Sequence, residues 1–172
     1  MNKKQTISRA TKIQKKKQAL RKQLWGDIAP DTIWNRKLND GFTTIPRTMP
    51  VVFQIMDDLS EKSKPISSTY FSLWCRVFDE SFVEIKNPAE MAFESGYSGQ
   101  RAVSTWKARM KILSNLGFIN AKEGAAGQYN YVLLLNPYMI IKKYHQEQKV
   151  QEGKYNALFA RAQEVGAGDL DE

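Results

Sequence analysis

The sequence predicts a mixed α+β chain that is mainly helical. Three observations carry that expectation. Apolar residues recur at i, i+3, i+4 and i+7 in several separate segments, the mark of amphipathic helices. Short runs rich in aromatic and β-branched residues lie between turn signals, the mark of strands. Cap residues and glycine stops punctuate the boundaries. With 172 residues, 42% of them hydrophobic and 11% aromatic, the chain can bury one core, and its length fits one domain with tails or a small helical appendage.

Residues 1–25 read as a basic arm, with Ile13, Leu20 and Leu24 at loosely helical spacing; a frayed helix that firms up on binding is expected. Residues 26–41 read as a linker carrying Trp34. The body is expected over 42–137. In it Thr48 can cap a helix with Pro50 in its first turn, and Val52, Ile55, Met56 and Leu59 share one face. Ser67 or Ser68 can cap a second helix, whose Phe71, Trp74, Cys75 and Phe78 form the expected buried stripe. Phe82 to Ile85 reads as a strand. Asn87, Pro88 and Glu90 have capping-box spacing, and Gly96 ends the short helix that follows. A long helix is expected from Gln100 to Leu116, stopped by Gly117. Strands are expected over Phe118–Lys122 and Tyr129–Leu135, joined by a flexible tip at Glu123–Gln128. Helices over about 138–151 and 154–165 and a loose acidic tail, 166–172, complete the chain.

Helix, helix, short strand, short helix, tight turn, long helix and glycine-tipped hairpin is the element order of a winged helix-turn-helix. The long helix divides at about 100° per residue. Ala102, Val103, Trp106, Met110 and Leu113 share the core arc. The opposite arc carries Arg101, Ser104, Thr105, Ala108 and Lys111, with Gln100 and Lys107 at its edge. Those residue types suit a major groove: Arg forks onto guanine, Gln pairs with adenine, hydroxyls adapt, and an Ala or Thr methyl meets the thymine methyl. No acid occurs between Glu94 and Glu123, a stretch holding Arg101, Lys107, Arg109, Lys111 and Lys122. Arg101, Ser104, Thr105 and Lys111 are expected at or near bases. Lys107, Arg109 and Lys122 are expected on phosphate, with Gln128 beside the wing. The bland reading is a solvated helix face.

The net charge of +8 belongs to the arm. Residues 1–24 hold nine Lys or Arg and no acid, among them Lys12, Lys15, Lys16, Lys17, Arg21 and Lys22, whereas the rest of the chain is nearly neutral. Such an arm seeks a polyanion. Duplex DNA is the first reading, a solubilising tail the second and a membrane surface the last, because the apolar face is weak for interfacial binding. One cysteine excludes an internal disulfide, and no apolar run is long enough to span a bilayer; the expected compartment is the cytoplasm. His145 is the only histidine, which disfavours zinc sites and His-dependent nucleophiles. Cys75 is expected as a buried core thiol, His145 on a helix surface, and Asp57-Asp58 and Glu80 with Glu84 as solvated charges. No phosphate-loop lysine follows the glycines. No enzyme activity, cofactor or metal is expected.

Several segments resemble a known family. They are Asp40-Gly41-Phe42-Thr43-Thr44-Ile45-Pro46, the aromatic helix Phe71–Phe78, Gly96-Tyr97-Ser98, and Leu113-Ser114-Asn115-Leu116-Gly117-Phe118-Ile119. Together they resemble the N-terminal winged helix of phage replication proteins of the O type and of related plasmid replication and control proteins. Leu134-Leu135-Asn136-Pro137 is similar to plasmid replication proteins in which a wing strand runs into Asn-Pro. The resemblance implies origin binding through Gln100–Lys111. Members of the O type continue into a long helicase-loader-recruiting segment, whereas two short helices and a tail follow here, which turns the expectation towards a repressor or accessory factor. The expected function is sequence-specific double-stranded-DNA binding in replication or transcription control of a plasmid, phage or similar element. The alternatives are a protein-interaction adaptor on the same fold and a structured-RNA binder. Tyr155, Leu158 and Phe159 are candidate homodimer contacts, with packing inside the chain as the equal alternative.

Overall fold

A computed structural model describes residues 3–29, 31–78 and 80–170, with side chains from residue 12 onward. Lys3, Lys4 and Arg9 of the arm have side chains outside that range, as do the tail residues 171–172. Among the described residues the protein has seven helices and one three-stranded antiparallel sheet, a mixed α+β and mainly helical architecture. It divides into two units, residues 1–42 and 43–172.

The first unit holds α1 (Lys3–Trp25), a continuous helix of 23 residues. Its lysines at 12, 15, 16, 17 and 22 and Arg21 are all exposed. Turns follow, in which Asn35 accepts from the Lys37 amide at 3.0 Å and Trp34 meets Phe42 edge to face at 5.9 Å.

The second unit contains α2 (Met49–Leu59), α3 (Ser67–Arg76), β1 (Phe82–Glu84), α4 (Pro88–Glu94), α5 (Ala102–Leu116), β2 (Ile119–Gly124), β3 (Gly127–Leu134), α6 (Pro137–Gln146) and α7 (Glu152–Val165). β3 lies between β1 and β2. The register sets Val83 and Ala121 opposite Val132, and Glu84 and Lys122 opposite Tyr131. Successive strand residues face opposite ways. Val83, Val132, Leu134 and Ile119 are buried on the inner face. On it, Tyr129 meets Trp106 of α5 edge to face at 5.8 Å.

Several helix boundaries have causes away from the expected cap. Thr48 makes no side-chain cap on α2; it is buried and its hydroxyl bonds that of Tyr138 on α6. Neither Ser67 nor Ser68 caps α3. Instead Asp57 of α2 accepts from the Ile66 and Ser67 amides at 2.7 and 2.9 Å and from the Ser67 hydroxyl at 2.6 Å. That corrects the reading of Asp57 as a solvated charge: a carboxylate at a helix N-terminus satisfies orphan amides and the dipole. Asp58 pairs with Lys154 of α7. Asn87 does cap α4, accepting from the Ala89 and Glu90 amides. Glu90 reaches Arg76, with no return bond to the cap among its contacts.

The stripe expected to bury α3 faces outward. Phe71, Cys75 and Phe78 are exposed, Phe78 at 89%, and Trp74 is half-buried. The buried arc is the opposite one, Thr69, Tyr70, Ser72 and Leu73. Its hydroxyls are satisfied: Thr69 with Tyr97 at 2.9 Å, and Ser72 with Ser95 at 2.8 Å and the Thr69 carbonyl at 2.9 Å. Bonded hydroxyls cost little to bury and are small enough for close packing of α3 on α4. Cys75 is therefore an exposed thiol, and its pKa is nudged up by partial burial and by Glu94.

At the C-terminal end, Leu158 and Ala162 of α7 are fully buried. Leu158 is thus a core residue and not a dimer contact; Tyr155 is half-buried and Phe159 exposed. His145 stacks flat on Tyr155 at 3.6 Å and bonds Glu152 at 2.9 Å, so it is half-buried and partnered. The tail read as loose carries Leu170, which is buried.

Candidate nucleic-acid interface

The candidate surface is the outer arc of α5, and three local features set it. α4 ends in a Schellman motif: the Gly96 and Tyr97 amides reach back to Phe93 and Ala92 at 2.9 Å each, with Gly96 at φ 86°. A left-handed residue there is cheap only for glycine. Tyr97 then ties the turn to α3 through Thr69. The Gly99 carbonyl accepts from Ala102 at 3.1 Å, and α5 begins. Its expected start at Gln100 moves two residues on, with Arg101 as the flanking residue. α5 closes at Gly117, where the Gly117 and Phe118 amides bond the Ser114 and Leu113 carbonyls.

Trp106, Met110 and Leu113 have no exposed surface, and Ile112 joins them in the core. Ala102 and Val103 pack on its margin. That anchoring turns the other arc outward: Gln100, Arg101, Ser104, Lys107, Ala108 and Lys111 are all exposed. Ser104 donates to the Arg101 carbonyl at 2.9 Å.

Two residues assigned to this surface lie nearer the body. Thr105 is half-buried. Arg109 is half-buried too; its Nε donates to the Pro65 carbonyl at 3.0 Å and its guanidinium lies 6.0 Å from the Tyr97 ring centre. At 100° per residue both positions fall on the flank of the core arc. Arg109 fastens α5 to the loop before α3, leaving its remaining N–H groups as donors.

Charges are distributed unevenly around α5. Among the described residues, Arg101, Lys107, Lys111 and Lys122 form no salt bridge. Acids elsewhere are occupied: Arg76 binds Glu90 and Glu94, Lys154 binds Asp58, and Arg161 binds Glu164. The nearest acidic influence is Glu61, which Lys64 holds; its carboxyl is lowered by that bond, then by Lys64's charge, with smaller contributions from Arg109 and Lys111. The outer arc therefore presents unneutralised cations among hydroxyl, amide and methyl groups.

The hairpin is tighter than expected. β2 and β3 run to a two-residue turn at Ala125-Ala126, with Gly124 opposite Gly127 and an irregular register between Lys122 and Gly124. Asn130 organises it: its Nδ2 donates to the Ile85 carbonyl at 2.9 Å, and its Oδ1 accepts from the Ala126 amide at 3.3 Å. Gln128 and Lys122 are exposed. Lys122 lies opposite Tyr131 on the outer sheet face, the face away from Trp106. The structure thus gathers Gln100–Lys111 on one helix and separates Lys122 from them across the sheet. Lys12, Lys15, Lys16, Lys17, Arg21 and Lys22 belong to the other unit.

A cleft of about 560 Å3 opens between Ile45–Thr48, Trp74, the β3–α6 junction and Val165–Asp169, with no lining residue from α4 or α5. Among the described residues no group of three or more His, Cys, Asp or Glu could hold a metal ion, and no helix is long and apolar enough to cross a membrane. Compared with family models, curated proteins and solved structures, the chain finds no match.

Proposed function

We propose that the protein binds double-stranded DNA in a sequence-dependent manner and controls replication or transcription of a mobile element by occupying a site. In this reading the second unit is a winged helix-turn-helix. α4, residues 95–101 and α5 form the helix-turn-helix, and β2–β3 forms the wing. The observation that carries it is the outer arc of α5, exposed and free of carboxylates, with Arg101, Lys107 and Lys111 unpaired. Arg101, Ser104 and Lys111 read base edges, Gln100 and Ala108 flank them, and Thr105 reaches from the edge. Lys107 and the free N–H groups of Arg109 bind phosphate, and the cations of α1 add sequence-independent contacts. Lys122 and Gln128 contact backbone only where the duplex passes the hairpin.

Selection of bound sites from random duplexes, followed by titration of Arg101→Ala/Lys111→Ala, tests this. The double variant is expected to lose preference for the selected site while its Tm stays near that of the wild type, because both side chains are exposed. Undiminished site preference would remove α5 from the mechanism. Preference for structured RNA over duplex would replace the ligand class.

A further inference from the structure

The exposed apolar residues of α1 are not scattered. Ile13, Leu20 and Leu24 are 48%, 53% and 60% exposed and follow one another by seven and four residues. That is the spacing of two d positions and an a position in a heptad. Lys17 occupies the intervening a position. The flanking e and g positions from residue 14 onward are Gln14, Lys16, Arg21 and Gln23, none of them acidic. Lys12, Lys15 and Lys22 fall at c and f, pointing away from the seam.

We infer that this stripe is the seam along which α1 of one copy pairs with α1 of a second copy when both are on one duplex. The inference rests on the DNA reading. A second copy is the occupant because the seam is self-complementary: Ile13, Leu20 and Leu24 each meet their own equivalent in a parallel pair. Pairing is conditional because Lys17 is set against Lys17 and every flanking charge is positive, so free chains repel. About two heptads are too short to hold such a pair alone. A duplex reverses the balance. Its phosphates neutralise the outward Lys12, Lys15 and Lys22, and they hold two arms at high local concentration.

The test is stoichiometry of the full chain by sedimentation, alone and with a selected duplex of about three helical turns, for wild type and Leu20→Ala/Leu24→Ala. Alanine keeps helix propensity and leaves every charge in place. The wild type is expected to be monomeric alone and to load two copies cooperatively on the duplex. The variant is expected to bind singly with an unchanged salt slope. As an independent readout, Leu20→Cys in a Cys75→Ser background is expected to cross-link under oxidant only with duplex present. One copy per duplex, or a variant that still loads in pairs, would overturn the pairing while leaving DNA binding intact. Absence of any duplex binding would remove both.

Discussion

Gly124→Ala tests whether the hairpin is organised as described. A methyl group at this position would lie 2.1 Å from Asn130 Oδ1 and 2.6 Å from Tyr131 Cε2. Both are impossible contacts, so something must move. The Tyr131 ring is partly exposed and can swing. Asn130 is buried, and its amide spans the Ile85 carbonyl and the Ala126 amide. Displacing it breaks a buried hydrogen bond and leaves a desolvated carbonyl short of a partner, together about 2–4 kcal/mol. For a chain of this length that is a fall in Tm on the order of 10 °C. The assay is urea unfolding of wild type, Gly124→Ala, Asn130→Ala and the double variant. Asn130→Ala alone loses the same bonds but opens the space, so adding Gly124→Ala to it should cost little; the two effects should be strongly non-additive. Gly124→Ala within about 0.5 kcal/mol of wild type, or simple additivity, would refute the reasoning.

Two further outcomes follow from charge. The Arg76 hydrogen bond holds the Glu94 carboxyl below its ordinary value, opposed by slight burial. Because the folded value is depressed, the stabilisation is present above the ordinary carboxyl value near 4.5 and is lost as pH falls through the folded value. Arg76→Gln should therefore flatten the acid limb of the stability profile between pH 5 and the folded value, read by urea midpoints across pH; an unchanged limb would show the pair to be idle. Deleting residues 1–24 should weaken binding to all duplex sequences alike and flatten log K against log salt by about 0.9 for each phosphate contact removed. A slope indifferent to the deletion would exclude the arm from binding.

The parts of the fold that depend on local chemistry were legible in the sequence. Asn87 and Pro88 start α4, Gly117 stops α5, and Trp106, Met110 and Leu113 are buried on one arc. The exposed arc from Arg101 to Lys111 followed from the same periodicity, Thr105 excepted. What failed depends on partners distant in sequence. α3 carries two arcs of similar spacing, and hydrophobicity favours Phe71, Trp74, Cys75 and Phe78. The structure buries Thr69 and Ser72 instead because Tyr97 and Ser95 meet their hydroxyls. Asp57 caps a helix that begins ten residues later, and Arg109 bonds a carbonyl 44 residues away. No local pattern encodes either contact. Lys122 was misgrouped for a different reason. Its sequence neighbourhood is basic, but strand alternation sets it on the sheet face opposite the one that meets Trp106.

The central claim is that the unpaired cations of α5 and α1 meet a duplex. Competition titration of the full chain against duplex DNA, structured RNA and anionic vesicles, repeated across salt concentrations, tests it most directly. Duplex should be the preferred competitor, with affinity falling steeply and linearly on a log–log plot as salt rises. No duplex binding at low salt, or equal displacement by RNA or vesicles, would contradict it.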